Sequence, residues 1–342
     1  MRDAVPRGRR STTLTLLGAP FLSLVLLAGC SAGSDYQRHD GSTMGTYYQV
    51  TAQCPGDVAA LVEAELRAVN DEMSTYLPES ALSRFNAAPV DEWFAVPASV
   101  VAVIDAALVL SRKSDGAFDV TVGPLVNLWG FGPTANSGVP DAEAIATARS
   151  RVGYGALQVR AAPPAARKSK DLYVDLSAIA KGHGVDRVFE RLVASGCSSL
   201  LVDVGGEVRG LGVNPKGQPW RIGVEVPDPA SSGAVQRVVL LDGAALATSG
   251  DYRNFFEADG KRYSHTIDPR TGYPVTHALA SVTVLHESTM WADGYATLLD
   301  VLGPDAAWDF AISHDLAVLF IVRGETGFEE RYTPRFEAVL AP

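Results

Sequence analysis

Asp175-Leu176-Ser177-Ala178-Ile179-Ala180-Lys181-Gly182-His183-Gly184 is the stretch from which the fold is read. An apolar run over 172–176 ends in an acid and reads as a strand. Small residues follow and open a helix over 177–195, with Ile179, Val185, Val188, Phe189 and Leu192 on one apolar face. Strand ends of this kind are where ligands approach a sheet. Small side chains let a ligand near the backbone, helix-start N–H groups suit phosphate, and Lys181 adds charge. An ordinary strand-to-helix turn with Asp175 near the cap fits the spacing equally well.

Outward toward the C-terminus, strands are expected at 200–204, 220–226, 235–241, 279–285 and 316–322. Helices are expected at 288–302 and 304–312. Toward the N-terminus, 46–53 reads as a strand. A helix follows Gly56-Asp57, another spans 98–111 and a short one 141–151. Residues 75–86 read as a polar connection, 115–137 as an ordered loop and 161–170 as an exposed turn. The element order predicts mixed α/β sheets with helices packed on them.

Arg2, Arg7, Arg9 and Arg10 precede an apolar run over 14–27 that is short for a membrane span. It ends in Leu27-Ala28-Gly29-Cys30, which resembles a bacterial lipobox. A lipoprotein signal peptide over 1–29 is therefore expected, with Cys30 lipidated, a polar tether over 30–40 and one domain over 41–342. That places the protein outside the cytoplasm on a membrane lipid anchor, the periplasmic side of the cell membrane in a Gram-negative cell. The net charge of −10 excludes nucleic acid as a natural partner. Any anionic cofactor needs a cation or aimed backbone dipoles. Cys54 and Cys197 are read as two buried free thiols, although they could pair in an oxidising compartment.

On a helix, Asp293 and Thr297 stand one turn apart on the same face, a hard-oxygen pair suited to magnesium or calcium. A solvated Asp beside a back-bonded Thr fits the same spacing. Residues 248–253 and 263–274 pack a His, two Arg and several hydroxyls between turn signals. His265 has the pKa range of a general base, and Asp268 is a carboxylate close to it. The Gly- and aromatic-rich stretch 116–132 suits either the wall of a flat-ring pocket or a packed loop.

Together with Gly41-Ser42-Thr43-Met44-Gly45-Thr46, residues 76–86 and Val204-Gly205-Gly206-Glu207, these segments resemble the ApbE family of FAD:protein FMN transferases across nearly the whole chain after the leader. The resemblance implies a T-fold-like mixed α/β domain with FAD held in a cleft. It assigns FAD contacts to Met44, Tyr76, Ala117, Phe118, Asp119, Asp175, Lys181 and Ile267. Mg²⁺ falls to the carbonyl of Ala178 with Asp293 and Thr297, and a catalytic role to His265. Two local departures are Ser177-Ala178, where many members have Gly-Gly, and His183, where an aromatic is common. The implied reaction is Mg-dependent transfer of FMN from FAD to a Ser/Thr hydroxyl of client flavoproteins, releasing AMP. The implied clients are membrane redox-pump subunits or extracytoplasmic reductases. FAD hydrolysis to FMN and AMP, and a flavin-binding lipoprotein without chemistry, are the rival readings.

Overall fold

The computed structural model describes residues 36–134, 138–231, 233–252 and 254–340. The expected signal peptide, Cys30 and Arg253 lie outside the described residues. The described residues form one compact unit.

Its frame is an eight-stranded sheet: β1 (Tyr36–Thr43), β2 (Thr46–Gln53), β3 (Ser199–Val204), β4 (Glu207–Leu211), β5 (Ala245–Gly250), β6 (Leu279–His286), β7 (Ala317–Gly324) and β8 (Gly327–Tyr332). Within this sheet each strand neighbours the one that follows it in chain order, and every pairing is antiparallel. A meander of this sort tolerates long excursions between strands. The 54–198 excursion carries helices α1 (Ala59–Met73), α2 (Ala81–Ala87), α3 (Ala98–Lys113), α4 (Gly123–Leu128), α5 (Ala142–Ser150) and α6 (Ala180–Ala194). Helix α7 (Thr289–Leu302) follows β6, and α8 (Pro304–Ser313) leads into β7.

Side chains alternate across the strands. In β7, Val318 and Phe320 join the core built with α3 and α7, whereas Ala317, Leu319 and Ile321 face a second core with Trp220, Leu241 and Phe336. Because both faces are covered there, β6 and β7 read as near-continuous apolar runs. A third core packs α1 and α6 residues such as Val62, Leu66, Val188 and Leu192 on Val50 and Val202 of the sheet.

The mixed α/β expectation holds, and several local expectations do not. Residues 172–176 pair with no strand beyond one parallel bridge, Val122 to Tyr173, because Asn86 holds both backbone groups of Val174. The helix begins at Ala180 rather than Ser177, since the Asp175 carboxylate accepts from the backbone N–H and the hydroxyl of Ser177 and fixes a turn there. Residues 75–86 contain α2, capped by Ser80, whose hydroxyl accepts from the Ser83 N–H at 2.9 Å. The 161–170 stretch is a strand over Ala165–Lys168, and Lys168 is buried with its ammonium on the carbonyl of Asn86. Strand β1 reaches back to Tyr36, into the segment read as tether.

The cysteines are also corrected. Cys54 and Cys197 form a disulfide, with Cα atoms 4.1 Å apart. The reason is topological: β2 and β3 are paired neighbours, so the end of one and the approach to the other meet, although 143 residues separate them.

Candidate functional site

The site is built where α6 and α7 cross. Gly182 of α6 makes the crossing possible. A Cβ there would stand 2.3 Å from the Thr289 carbonyl oxygen and 2.8 Å from Asp293 Cβ. With no side chain in the way, the Gly182 N–H donates to Asp293 Oδ2 at 2.9 Å. One turn further along α6, Asp186 caps the start of α7. Its carboxylate accepts from the N–H groups of Thr289 and Met290, from both hydroxyls of Ser288 and Thr289, and from Arg209 at 2.7 Å. An acid at a helix N-terminus satisfies orphan donors and complements the dipole. Arg209 lies over the Phe189 ring, 4.2 Å from its centroid, which fixes the guanidinium. The direction of α7, and with it Asp293 and Thr297, is thus set from α6.

Around Asp293 the charges are dense and incompletely paired. Lys181 Nζ sits 2.8 Å from Glu207 Oε1 and 3.7 Å from Asp293 Oδ1. Burial acts to lower the lysine pKa, but the carboxylates of Asp293 and Glu207 more than offset it and hold the ammonium charged. Glu207 is pushed up to about 7 by burial, with Lys181 opposing and Asp293 adding to the rise. Its Oε2 is buried and has no hydrogen-bond partner. Thr297 Oγ1 lies 3.4 Å from Ser249 Oγ on β5.

A second cluster is aromatic. Phe256 and Tyr263 stack at 5.1 Å, Tyr263 stacks on Trp129 at 5.5 Å, and Phe131 lies 5.6 Å from Phe256. The Trp129 indole donates to the Gly272 carbonyl at 2.9 Å. This packing joins the 116–132 segment to the 255–274 segment. His265 results edge-on to Phe131, with its backbone N–H on the Asn254 carbonyl. Burial lowers the His265 pKa, with the Lys181 charge adding to the fall and the Asn254 carbonyl and the Asp251 charge opposing it, which favours the neutral imidazole. Its Nδ1 is buried without a partner.

Beside them runs a cleft of about 1620 Å³, which Phe131 lines while Trp129, Phe256 and Tyr263 stand behind it. It is lined by Met44, Tyr76, Asp175, Ala178, Lys181, His265, Ile267, Asp293 and Thr297. Nine residues singled out in the sequence are therefore brought together from five separate segments. Met44 reaches it from the β1–β2 hairpin, where Met44 and Gly45 both take positive φ (49° and 73°) as a tight antiparallel turn demands.

Four others are placed elsewhere. Ala117, Phe118 and Asp119 are buried and do not line the cleft. The Asp119 carboxylate instead accepts from the N–H groups of Thr121 and Tyr154 and from the Thr121 hydroxyl, stitching two loops together. Asp268 also lies off the cleft wall, and Arg270 occupies both its oxygens at 2.9 Å. That pairing leaves it a turn-stabilising acid rather than a free base. Sequence reasoning missed Asp186 and Glu207 as site builders. The signal was present in each: an acid four residues from a helical glycine, and an acid directly after a Gly-Gly turn at the start of a buried strand.

Among the described residues no three His, Cys, Asp or Glu side chains gather as a metal cage. Asp293 and Thr297 instead offer one carboxylate and one hydroxyl on the cleft wall, beside the unpartnered Glu207 oxygen. A sparse hard-oxygen set of this kind fits magnesium, which keeps waters and takes substrate phosphate oxygens as ligands.

The ApbE family model matches residues 44–320. A Vibrio cholerae protein named FAD:protein FMN transferase is 44% identical over 326 residues, covering 93% of this chain and 97% of its own. A Haemophilus influenzae protein of the same name is 42% identical over 323 residues, covering 91% and 93%. The solved structure of flavin transferase ApbE from Vibrio cholerae superposes with a TM-score of 0.83 at 42% identity, over 90% of this chain and 99% of that one. The chain belongs to the ApbE family.

Proposed function

We propose that this protein transfers FMN from FAD to a Ser or Thr hydroxyl of client flavoproteins, with AMP as the leaving group. The observation that carries the reading is the convergence of Lys181, Asp293, Thr297 and His265 on one cleft, in a chain related over its length to FAD:protein FMN transferases.

The chain's own residues divide the work. Tyr76, more than half exposed, and Ile267, buried against Trp129, offer flat and apolar surface to the flavin. Lys181 brings a fixed positive charge to the diphosphate. Asp293 and Thr297, with the Ala178 carbonyl, would hold Mg²⁺, which supplies charge neutralisation on the diphosphate and fixes its orientation. His265, neutral and with a vacant ring nitrogen, accepts the proton of the attacking client hydroxyl. The hydroxyl oxygen bonds to the FMN-side phosphorus, the bridging P–O bond breaks, and AMP departs with the electron pair. In an acidic protein, cations at this point prevent the surrounding carboxylates from repelling the substrate.

The test is mass analysis of a purified redox-pump subunit incubated with enzyme, FAD and Mg²⁺. The expected result is an FMN-sized gain on a Ser or Thr, lost in Asp293→Ala. Release of FMN and AMP at the same rate without any client would instead make the protein a hydrolase. Unchanged FAD after hours would make it a binder.

We also propose that the protein works outside the cytoplasm on a lipid anchor at Cys30. The lipobox-like end of the leader supports this, as does the Cys54–Cys197 disulfide, since such bonds persist in oxidising compartments. Membrane fractionation of the Cys30→Ser variant checks it. A variant that stays as firmly membrane-bound as the parent refutes the anchor.

A further inference from the structure

Below the cleft floor lies a buried acid that the proposed chemistry does not use. Asp300 is fully buried on the last turns of α7, three residues beyond Thr297 and seven beyond Asp293. Its Oδ2 accepts from the Thr266 hydroxyl at 2.8 Å, and its Oδ1 has no partner. Its backbone carbonyl accepts from His277 Nε2 at 2.7 Å. Thr266 directly follows His265, and both line the cleft. Thr266 is held on its other sides as well: its N–H donates to the Ser264 hydroxyl at 3.1 Å, and its carbonyl accepts from the Val275 N–H at 3.0 Å.

A carboxyl buried this deeply is costly unless it serves an arrangement that an apolar residue cannot make. Here it grips the segment that carries His265 at one point by a side chain and beyond it, at His277, by the main chain. The same helix carries Asp293 and Thr297. One rigid element therefore holds both the hard-oxygen pair and the histidine segment, although these arrive from parts of the chain with no local connection.

We propose that Asp300 is a positioning residue that sets His265 in register with Asp293 and Thr297 through its hydrogen bond from Thr266. The hydroxyl of Thr266 is the only part of that side chain the clasp requires. Toward Thr266 the Asp300 carboxyl acts as an acceptor, a role its oxygen keeps whether or not the other oxygen carries a proton, so an amide of the same shape can replace it. The consequence for catalysis rests on the transferase reading above, whereas the placement of the imidazole does not.

Two readouts separate the two. Steady-state FMN transfer from FAD to a purified redox-pump subunit is measured alongside the NMR resonances of the His265 ring. Thr266→Val keeps the side-chain volume and removes the hydroxyl. We expect it to lower kcat about 10- to 100-fold while KM for FAD stays within about twofold, as misplacement of a reacting group does. Asp300→Ala should do the same, and the double variant should be no worse than the poorer single one. Asp300→Asn should transfer within about threefold of the parent, since the acceptor remains. The His265 ring resonances should move in Thr266→Val and return to the parent position in Asp300→Asn. Unmoved resonances in Thr266→Val, losses that multiply in the double variant, or an Asn variant as poor as the Ala variant would each overturn the proposal. If the parent protein transfers no FMN, the kinetics refute the transferase reading, and the NMR still decides the clasp.

Discussion

Two acids on the α6–α7 pair are arranged in opposite ways. Asp186, at one end of the crossing, takes hydrogen bonds from two backbone N–H groups, two hydroxyls and a guanidinium. Asp293, one helical turn away, takes one backbone N–H and has Lys181 at 3.7 Å. The first is saturated inside the protein, and the second turns spare capacity toward a cleft. Carboxylates that hold a fold are satisfied by the fold, because an unsatisfied buried charge is expensive. Carboxylates that bind something keep lone pairs for it. By this measure Glu207, with an unpartnered oxygen beside Lys181, belongs with Asp293. Asp119 and Asp268, fully engaged by their neighbours, belong with Asp186.

The strongest way to break the comparison is Asp293→Asn. It keeps the acceptor for the Gly182 N–H and removes the anionic ligand. Transfer should fall on the order of a thousandfold, since cation-assisted charge stabilisation is worth several kcal/mol. The melting temperature should barely move. A variant with parental activity, read by mass gain on the client, would place Asp293 in the structural class. Asp186→Ala should behave inversely. Arg209 and the start of α7 lose their partner, and unfolding in urea should show a loss of about 3–5 kcal/mol, the range for breaking a buried charge pair. A loss under about 1 kcal/mol would contradict the capping role.

Asp300 sharpens the comparison through pH. Burial pushes its carboxyl up to about 7, with the Thr266 hydrogen bond and Arg323 opposing and Asp251 adding to the rise. The native state therefore holds a proton that the unfolded chain releases near pH 4. Its contribution to stability is greatest below pH 4 and declines as pH rises toward 7. The stability of the parent relative to Asp300→Asn should fall across that window by a few kcal/mol, on the order of three pKa units at 1.36 kcal/mol each. A difference independent of pH, measured by urea unfolding between pH 4 and 8, would show that the group is not protonated in the fold. Among the changes expected to alter stability, the smallest loss of stability is expected from Gly182→Ala. The new Cβ must move the Thr289 backbone, which costs about 1–3 kcal/mol. Activity should fall more than that, because the shift is transmitted directly to Asp293. Retention of full transfer with lowered stability would separate helix packing from site geometry.

Much of this arrangement was legible from local pattern. The period of apolar residues marks α1, α3, α6 and α7. The one-turn spacing of Asp293 and Thr297 puts them on one face whatever surrounds them, because helix geometry is local. The strand at 46–53 and the Gly205-Gly206 turn are equally local. What failed were segments whose state depends on distant partners. Val174 is extended without a sheet because Asn86 satisfies its backbone. Lys168 is buried because the Asn86 carbonyl receives its charge. Neither condition is visible within ten residues of the segment it controls.

The chain on its own therefore determined which elements form and which residue types carry the chemistry, since period, turns and caps act over a few residues. Tertiary contact decided three further things. It made the sheet an antiparallel meander with Cys54 against Cys197. It left Asp293 and Glu207 under-satisfied while filling Asp186, Asp119 and Asp268. It brought His265, from a segment preceding β6, over a helix that follows β6. The physical reason is the same in each case. Hydrogen-bond satisfaction and burial are properties of whole neighbourhoods, and a neighbourhood exists only after residues far apart in the chain have met.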